Sequence, residues 1–580
     1  MINKFNNFPS VKVNGNYKSQ TGWNSVSDEL SNQISCKKNI VVIETYHGVY
    51  DDEIITNIKN GLNPTLFINA KEAMLSEEEV QELVYPDVTD DRIFGFLSRL
   101  QIEAFFNPTK IIELQEQIES IDEGTVVVYG IGASLISENP TLLVYADMAR
   151  WEIQLRFRRH EISNMGITNP DDDFARQYKQ AFFVDWRVLD RLKKRLFEKI
   201  DYLIDTNKKD NPKMITGTAL LDGLKQTVTQ PFSLVPFFDP GPWGGQWMKD
   251  VCNLDKSADN YAWCFNGVPE EESLLLEIDG ETIEIPSINL VFYQSEELLG
   301  KMCHGRFGDE FPIRFDFLDT FDGGNLSLQV HPLTEYIQEH FGMHYTQDES
   351  YYMLDAKPEA VVYLGLRDDV NPEAMIAELK EAQDVGKIFN AKKHVQTFPA
   401  KKHDHFLIPG GTVHCSGTDG MVLEISATPY IFTFKLWDWG RLGMDGLPRP
   451  INIDHGEKVI QWNRTKSWTE KNLVNQIEPI VDGDGWREER TGLHEREFIE
   501  TRRHWFTKKV THNTHDNVHV LNLVEGNVAI VESPKNKFKP FKVHYAETFI
   551  VPAKVGEYTI RPYGESEGKE CATIKAYVRG

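Results

Sequence analysis

Cysteine is scarce. Cys36, Cys252, Cys264, Cys303, Cys415 and Cys571 are scattered over 580 positions with no CxxC pair. That pattern excludes a disulfide framework and a thiolate metal site. No apolar run approaches the ~18 residues a membrane helix needs. The opening MINKFNNFPS has no apolar stretch of the signal-peptide kind, so the chain reads as cytoplasmic. Positive charge is also short. Lys and Arg number 62 against 88 Asp and Glu, so 62 − 88 leaves −26. Such a surface repels a phosphate backbone and argues against a nucleic-acid partner. Neither a membrane partner nor an oligomeric state is indicated. An anionic small-molecule substrate would need a locally basic pocket.

What the chain does contain is ample core material. Hydrophobic residues make up 41% and charged residues 26%, as in a soluble globular protein, and the length allows roughly three or four domains. Three textures follow one another. Residues 1–225 alternate short apolar strands with helical patterns: strands at Asn39–Glu44, Thr125–Tyr129 and Thr141–Ala146, helices near Asp52–Gly61, through Arg150–Arg159 and over the basic Val188–Ile200. This predicts an α/β layer with a partly parallel sheet. Proline and glycine crowd into Pro231–Gly245. From there, residues 226–465 read as many short strands with one helix near Pro372–Ala382. Residues 466–580 are again strand-rich, with Val518–Val524, Val528–Glu532, Glu547–Val551 and Glu557–Arg561 as strands. Short strands at short spacing predict sandwiches or barrels.

The sharpest chemical constellation is Ser327-Leu328-Gln329-Val330-His331-Pro332. Side chains alternate faces along a strand, so Gln329 and His331 share one. Glu349 opens the strand Tyr351–Leu354, and Ile408-Pro409-Gly410-Gly411-Thr412-Val413-His414 sets a second histidine after a turn. One amide oxygen, two imidazoles and one carboxylate suit a divalent cation. Zinc comes first, with iron, manganese, cobalt and nickel as alternatives. Taken singly, each histidine reads equally as a core or loop residue.

The ordered motifs SLQVHP, Glu349 before YYMLDA, FLIPGGTVHCSG, LEIS and WDWGR, with PWGGQW and FPIRFDFLDT ahead of them, resemble class I mannose-6-phosphate isomerase. The resemblance covers about three-fifths of the chain. It implies two mainly-β cupin (jelly-roll) barrels, the first catalytic, so that the chain reads as a multidomain protein in which the N-terminal α/β domain is followed by those barrels. It implies Gln329, His331, Glu349 and His414 as zinc ligands, Arg441 as an active-site arginine and Lys435 as a further basic residue. The activity implied is interconversion of mannose 6-phosphate and fructose 6-phosphate. The chain departs from the family at Asp316, where a lysine is common, with Arg314 two residues away, and in the run Ser426-Ala427-Thr428-Pro429. Those departures keep open an isomerase of an unphosphorylated or other sugar; a non-catalytic sugar-binding cupin with a regulatory N-terminal domain is a second alternative, of another class. An ion pair of Arg441 with Asp438 or Asp445 is the bland alternative for that arginine. His340, His344, His403 and His405 are further histidines within possible reach of the cavity, most of them expected to face solvent.

The N-terminal third faintly resembles nucleoside- and nucleotide-kinase P-loop folds without the P-loop lysine. Gly130-Ile131-Gly132-Ala133-Ser134 follows a strand and reads first as structural turn glycines, second as a phosphate cradle. Arg150, Arg156, Arg158 and Arg159 read as a solvated helix face, with anion binding as the alternative. His512, His515 and His519 read as exposed loop histidines.

Overall fold

The computed structural model describes residues 4–35, 37–443, 446, 449, 451–492 and 494–580; Cys36 and Asp445 lie outside them. The chain forms two compact units. One comprises residues 10–227 and 270–293, the other residues 4–9, 228–269 and 294–580. No helix among the described residues is long and apolar enough to cross a membrane.

The first unit is built on five parallel strands: β1 Asn39–Thr45, β2 Leu66–Asn69, β3 Thr125–Gly130, β4 Leu142–Asp147 and β5 Tyr202–Asp205. Their order is β2-β3-β1-β4-β5, with Lys213–Thr216 and Ser19–Thr21 added antiparallel beyond β5. β3 and β4 are buried along their whole length, as expected of strands covered on both faces. β1 leads into helix α1, Asp51–Leu62, whose Ile54, Ile58 and Leu62 recur every four residues and face the core. Residues 270–293 belong here too. Ser273–Ile278 pairs with Ser10–Lys12 and with Glu281–Pro286.

Two of the arginines expected on a solvated face are interior. Arg150 is buried between Asp190 and Glu270. Arg156 is fully buried and donates to the carbonyls of Gly48, Thr206 and Asn207. Burying a guanidinium is tolerable only with such partners. The glycine loop is likewise filled from within. The N–H groups of Gly132 and Ser134 donate to the two carboxylate oxygens of Glu44 at 2.6 and 2.8 Å. The turn is structural, and its acceptor is a side chain of the same sheet.

The second unit holds four antiparallel sheets in two pairs. In the first pair, a six-stranded sheet includes β6 Ile313–Asp319, β8 Glu349–Ala356 and β10 Gly420–Ala427. A five-stranded sheet includes β7 Leu328–Val330, β9 His414–Ser416 and β11 Phe434–Trp437. The second pair spans Glu478–Val578, six strands against four, around a core containing Phe506, Leu521, Val531, Phe549 and Tyr558. The pairs meet through Arg503, which donates to the His403 carbonyl at 2.9 Å, and through Glu525 against Lys402 and His403. His515 is exposed, as expected of a loop histidine, but His512 and His519 are not. Both are buried on strands of the second pair, beside Tyr558, and burial holds both imidazoles well below their usual pKa.

Candidate metal centre

The two sheets of the first pair face each other, and chemistry collects between them. β7 presents Gln329, and His331 follows one residue beyond its end. Gln329 pairs with His414 across β7 and β9. Glu349, the first residue of β8, comes from the opposite sheet. All four are buried. The ligand atoms of His331, Glu349 and His414 lie within 4.8 Å of one another, and this trio could hold a metal ion. His414 Nε2 is 2.7 Å from Glu349 Oε1, and His331 Nε2 is 3.1 Å from Glu349 Oε2. The Gln329 amide reaches to 3.3 Å from His414 Nε2.

The donor chemistry fits a cation. His414 Nδ1 donates to the Thr412 carbonyl at 2.8 Å, and His331 Nδ1 donates to the Phe432 carbonyl at 3.3 Å. Those bonds place a proton on each Nδ1 and aim each Nε2 at Glu349, as a lone pair wherever the ring is neutral. His331 Nε2 and Glu349 Oε1 are buried and take no hydrogen bond. Two lone-pair donors and an ionised carboxylate facing one point are what a divalent ion neutralises. Burial alone would raise the Glu349 carboxyl; protonated imidazoles facing it hold it well below the ordinary range, and a bound cation would do the same beside neutral rings.

A shell of charge surrounds the trio. Gln347 donates to Glu349 at 3.0 Å and to Glu424 at 3.1 Å. Burial and the neighbouring Glu349 push Glu424 up to about 8. Arg314 is committed to Asp316, 2.5 Å away, and to Glu424. It is therefore not a free cation standing in for a lysine at Asp316.

Lys435 on β11 is opposite Gln329 on β7, so the two side chains share a face. Burial, then Arg449, brings its ammonium down to about 8. Arg441 follows a tight reversal in which Trp439 and Gly440 both take positive φ, 59° and 70°. Its guanidinium pairs with Asp438 at 2.5 Å and lies against Gly324, where a Cβ would come within 2.9 Å of Nη1. The ion pair with Asp438 thus forms; Asp445 lies outside the described residues.

Of the other histidines, His344 is exposed. His340 stacks on Tyr336, with ring centroids 3.9 Å apart. His403 binds Tyr352 and Glu525. Against the expectation of a solvent-facing ring, His405 is fully buried, and burial drives its imidazole down to about 3.

Sequence reasoning missed two arginines. Arg449 closes on the second oxygen of Asp438 at 2.7 Å. Arg464, buried, donates to the carbonyls of Pro409 and Gly410, both at 2.8 Å, and to the Thr412 hydroxyl. It pins the turn that delivers His414. Neither carries a local motif; each acts across a long loop.

Residues 22–229 match the model of a domain of unknown function, DUF8485. The chain is 22% identical over 344 residues to the mannose-6-phosphate isomerase ManA of Bacillus subtilis (strain 168), covering 59% of this chain and 96% of that protein. It is 25% identical over 235 residues to the mannose-6-phosphate isomerase of Streptococcus mutans, covering 39% of this chain and 67% of that one. Among solved structures, the mannose 6-phosphate isomerase from Bacillus subtilis superposes with a TM-score of 0.48 at 18% identity, over 60% of this chain and 99% of the other. The curated relatives are isomerases, and the similarity supports an isomerase enzyme.

Proposed function

We propose that the second unit is a metal-dependent aldose–ketose isomerase interconverting mannose 6-phosphate and fructose 6-phosphate through an enediolate. In this reading the two sheet pairs are cupin barrels: a catalytic one within residues 226–465, less the segment 270–293, and a packing partner over 466–580. Residues 1–225 are a degenerate kinase-like domain. The observation that carries the reading is the meeting of Glu349 from one sheet with Gln329, His331 and His414 from the other.

The proton on the carbon beside a carbonyl is weakly acidic, so the reaction needs stabilisation of negative charge on the sugar's oxygens. A divalent cation, zinc by preference, supplies several kcal/mol of that as a Lewis acid when bound. Gln329, His331, Glu349 and His414 hold it. Lys435 shares the face of Gln329 and turns positive charge toward the same interior. Arg441, oriented by Asp438, steadies the open-chain sugar or its developing oxyanion.

A second reading, an isomerase of an unphosphorylated sugar, is favoured by the commitment of Arg314 to Asp316 and Glu424. A coupled assay on protein of measured metal content separates the two. Turnover of mannose 6-phosphate that stops on chelation and returns with zinc supports the first reading. Turnover of mannose alone supports the second. Metal-loaded protein that turns over neither sugar rules out both.

A further inference from the structure

The second sheet pair is polar in its interior, where a pair that served only for packing would be apolar. Its strands include β12 Ile499–Phe506, β13 Val510–Asn513, β14 His519–Glu525, β15 Glu557–Pro562 and β16 Cys571–Val578. Phe506, Leu521, Leu523 and Cys571 of one sheet meet Val510, Tyr558 and Ile560 of the other in the core. Side chains two residues apart share a face. The same inward faces therefore carry Arg502 and His504 on β12, His512 on β13, His519 on β14 and Lys575 on β16. The register agrees: Lys575 is opposite Arg502 and Leu521, and His512 is opposite Tyr558. Apolar toward one end, the interior turns basic and aromatic toward the other.

Three imidazoles are buried together there. The rings of His504 and His512 have centroids 4.5 Å apart, and His512 stacks on Tyr558. The Tyr558 hydroxyl lies 2.8 Å from His519 Nδ1; donating to it leaves the His519 proton on Nε2. Lys575, 8% exposed, makes no hydrogen bond or ion pair among the described residues, and lies 5.6 Å from the centre of the Tyr577 ring. His504 Nδ1 and His512 Nε2 are sealed from solvent, but Lys575 Nζ is not.

The carboxylates of this face are already answered. Arg502 binds Glu500 and, at 3.4 Å, Glu488. Glu500 also takes Arg490 at 3.2 Å and the Tyr577 hydroxyl at 3.1 Å. Lys575 is left as uncompensated positive charge. Burial brings its ammonium down to about 8, and after burial itself its charge helps hold all three imidazoles well below their usual pKa. A cation among these histidines would face that ammonium in a medium that screens poorly. An anion would satisfy it, with the His519 N–H in the same interior as a second donor.

We propose that the interior of the second sheet pair binds a compact oxyanion, the phosphate or carboxylate group of a small molecule, with Lys575 as its charge partner and His519 as a hydrogen-bond donor. This gives the second pair a ligand of its own, beyond the packing role in the reading above, and it does not depend on the metal centre.

Calorimetric titration of chelator-treated, full-length protein with inorganic phosphate and with malonate at low ionic strength tests it. Chelation keeps anions bound to metal out of the measurement. Tighter saturable binding of phosphate assigns a phosphate group; tighter binding of malonate, a carboxylate. In either case Lys575→Met weakens binding at least about tenfold, the loss of one charge-assisted hydrogen bond, and His414→Ala leaves it unchanged. If Lys575→Met does not fold, acylation of Lys575 in the wild-type protein, read by peptide mass spectrometry, decides the same point: the bound anion slows it severalfold. No saturable binding of either anion at millimolar concentration overturns the proposal. So does wild-type affinity in Lys575→Met, or acylation that the anion leaves unchanged. Zinc bound by His414→Ala and lost on adding His504→Ala would make these histidines ligands of a cation, and would overturn it too.

Discussion

His414 Nε2 lies 2.7 Å from Glu349 Oε1 although the ring's proton is already placed on Nδ1, donated to the Thr412 carbonyl. A lone pair facing a carboxylate oxygen inside a buried site is repulsive, so the contact needs positive charge, supplied by a second proton on the ring or by a cation beside it. That relationship, duplicated by His331, is the physical content of the proposed metal centre.

Metal removal is the direct consequence. A ligand that binds only the folded chain stabilises it by about 4 kcal/mol at a thousandfold excess over its Kd. Chelation should therefore lower the unfolding temperature of the second unit, and zinc should restore it. His331→Ala and His414→Ala should abolish both the shift and the bound metal, read by calorimetry and elemental analysis. An unchanged melting curve with no metal in the wild-type protein would sink the centre.

Arg441 is expected to act on turnover without holding metal. Arg441→Ala leaves Asp438 paired with Arg449, so the local fold should persist. Loss of one positive group aimed at developing negative charge typically reduces kcat ~10²–10³-fold. Steady-state kinetics with metal analysis on the same sample checks this. A variant that loses its metal would show that Arg441 supports the site's structure.

How much of this was legible in the sequence depends on the range over which each feature is decided. Gln329 and His331 share a face because strand alternation is local, and the turn before His414 is announced by Pro409-Gly410-Gly411. The strands β1 and β3 and the helix α1 were readable for the same reason. Long-range partners were not. Glu44 fills the glycine loop from 88 positions away. His512 and His519 flank a turn rich in Asn, Asp and His, which masked the strand Val510–Asn513 and left His519 read as a loop residue although Val518–Val524 reads as a strand; both rings are buried. Ser273–Ile278 reads like any other strand of its neighbourhood, and only pairing with Ser10–Lys12 assigns it to the first unit.

Arg464 provides a test of long-range positioning. It holds the carbonyls of Pro409 and Gly410, and the turn they form places Thr412, whose carbonyl orients the His414 ring. Removing such outer support typically costs 10–100-fold in metal affinity. Arg464→Ala should weaken zinc binding by about that factor while the protein remains folded by circular dichroism. Arg464→Lys, which keeps charge but not the fork of donors, should fall between. Wild-type affinity in the alanine variant would remove Arg464 from the account.

His405 makes a prediction about acid. Its imidazole, buried, is driven down to about 3, whereas in the unfolded chain it protonates near ~6.5. Between those values the unfolded state binds the extra proton and the folded state does not. The contribution to stability is therefore complete above about pH 6.5 and is lost progressively as pH falls toward 3. Buried carboxyls with raised pKa values, such as Glu44 and Glu424, both shifted upward by burial, act in the opposite direction over part of the same range. The whole-protein curve consequently mixes both signs, and the informative quantity is a difference. Urea midpoints of the wild type and of His405→Leu, compared from pH 7.5 to 5, cancel the shared carboxyl terms. The variant should gain on the wild type as pH falls, by about 1–2 kcal/mol at pH 5, whatever its stability at neutral pH. A gap independent of pH would mean that His405 titrates normally and that its burial does not govern its charge.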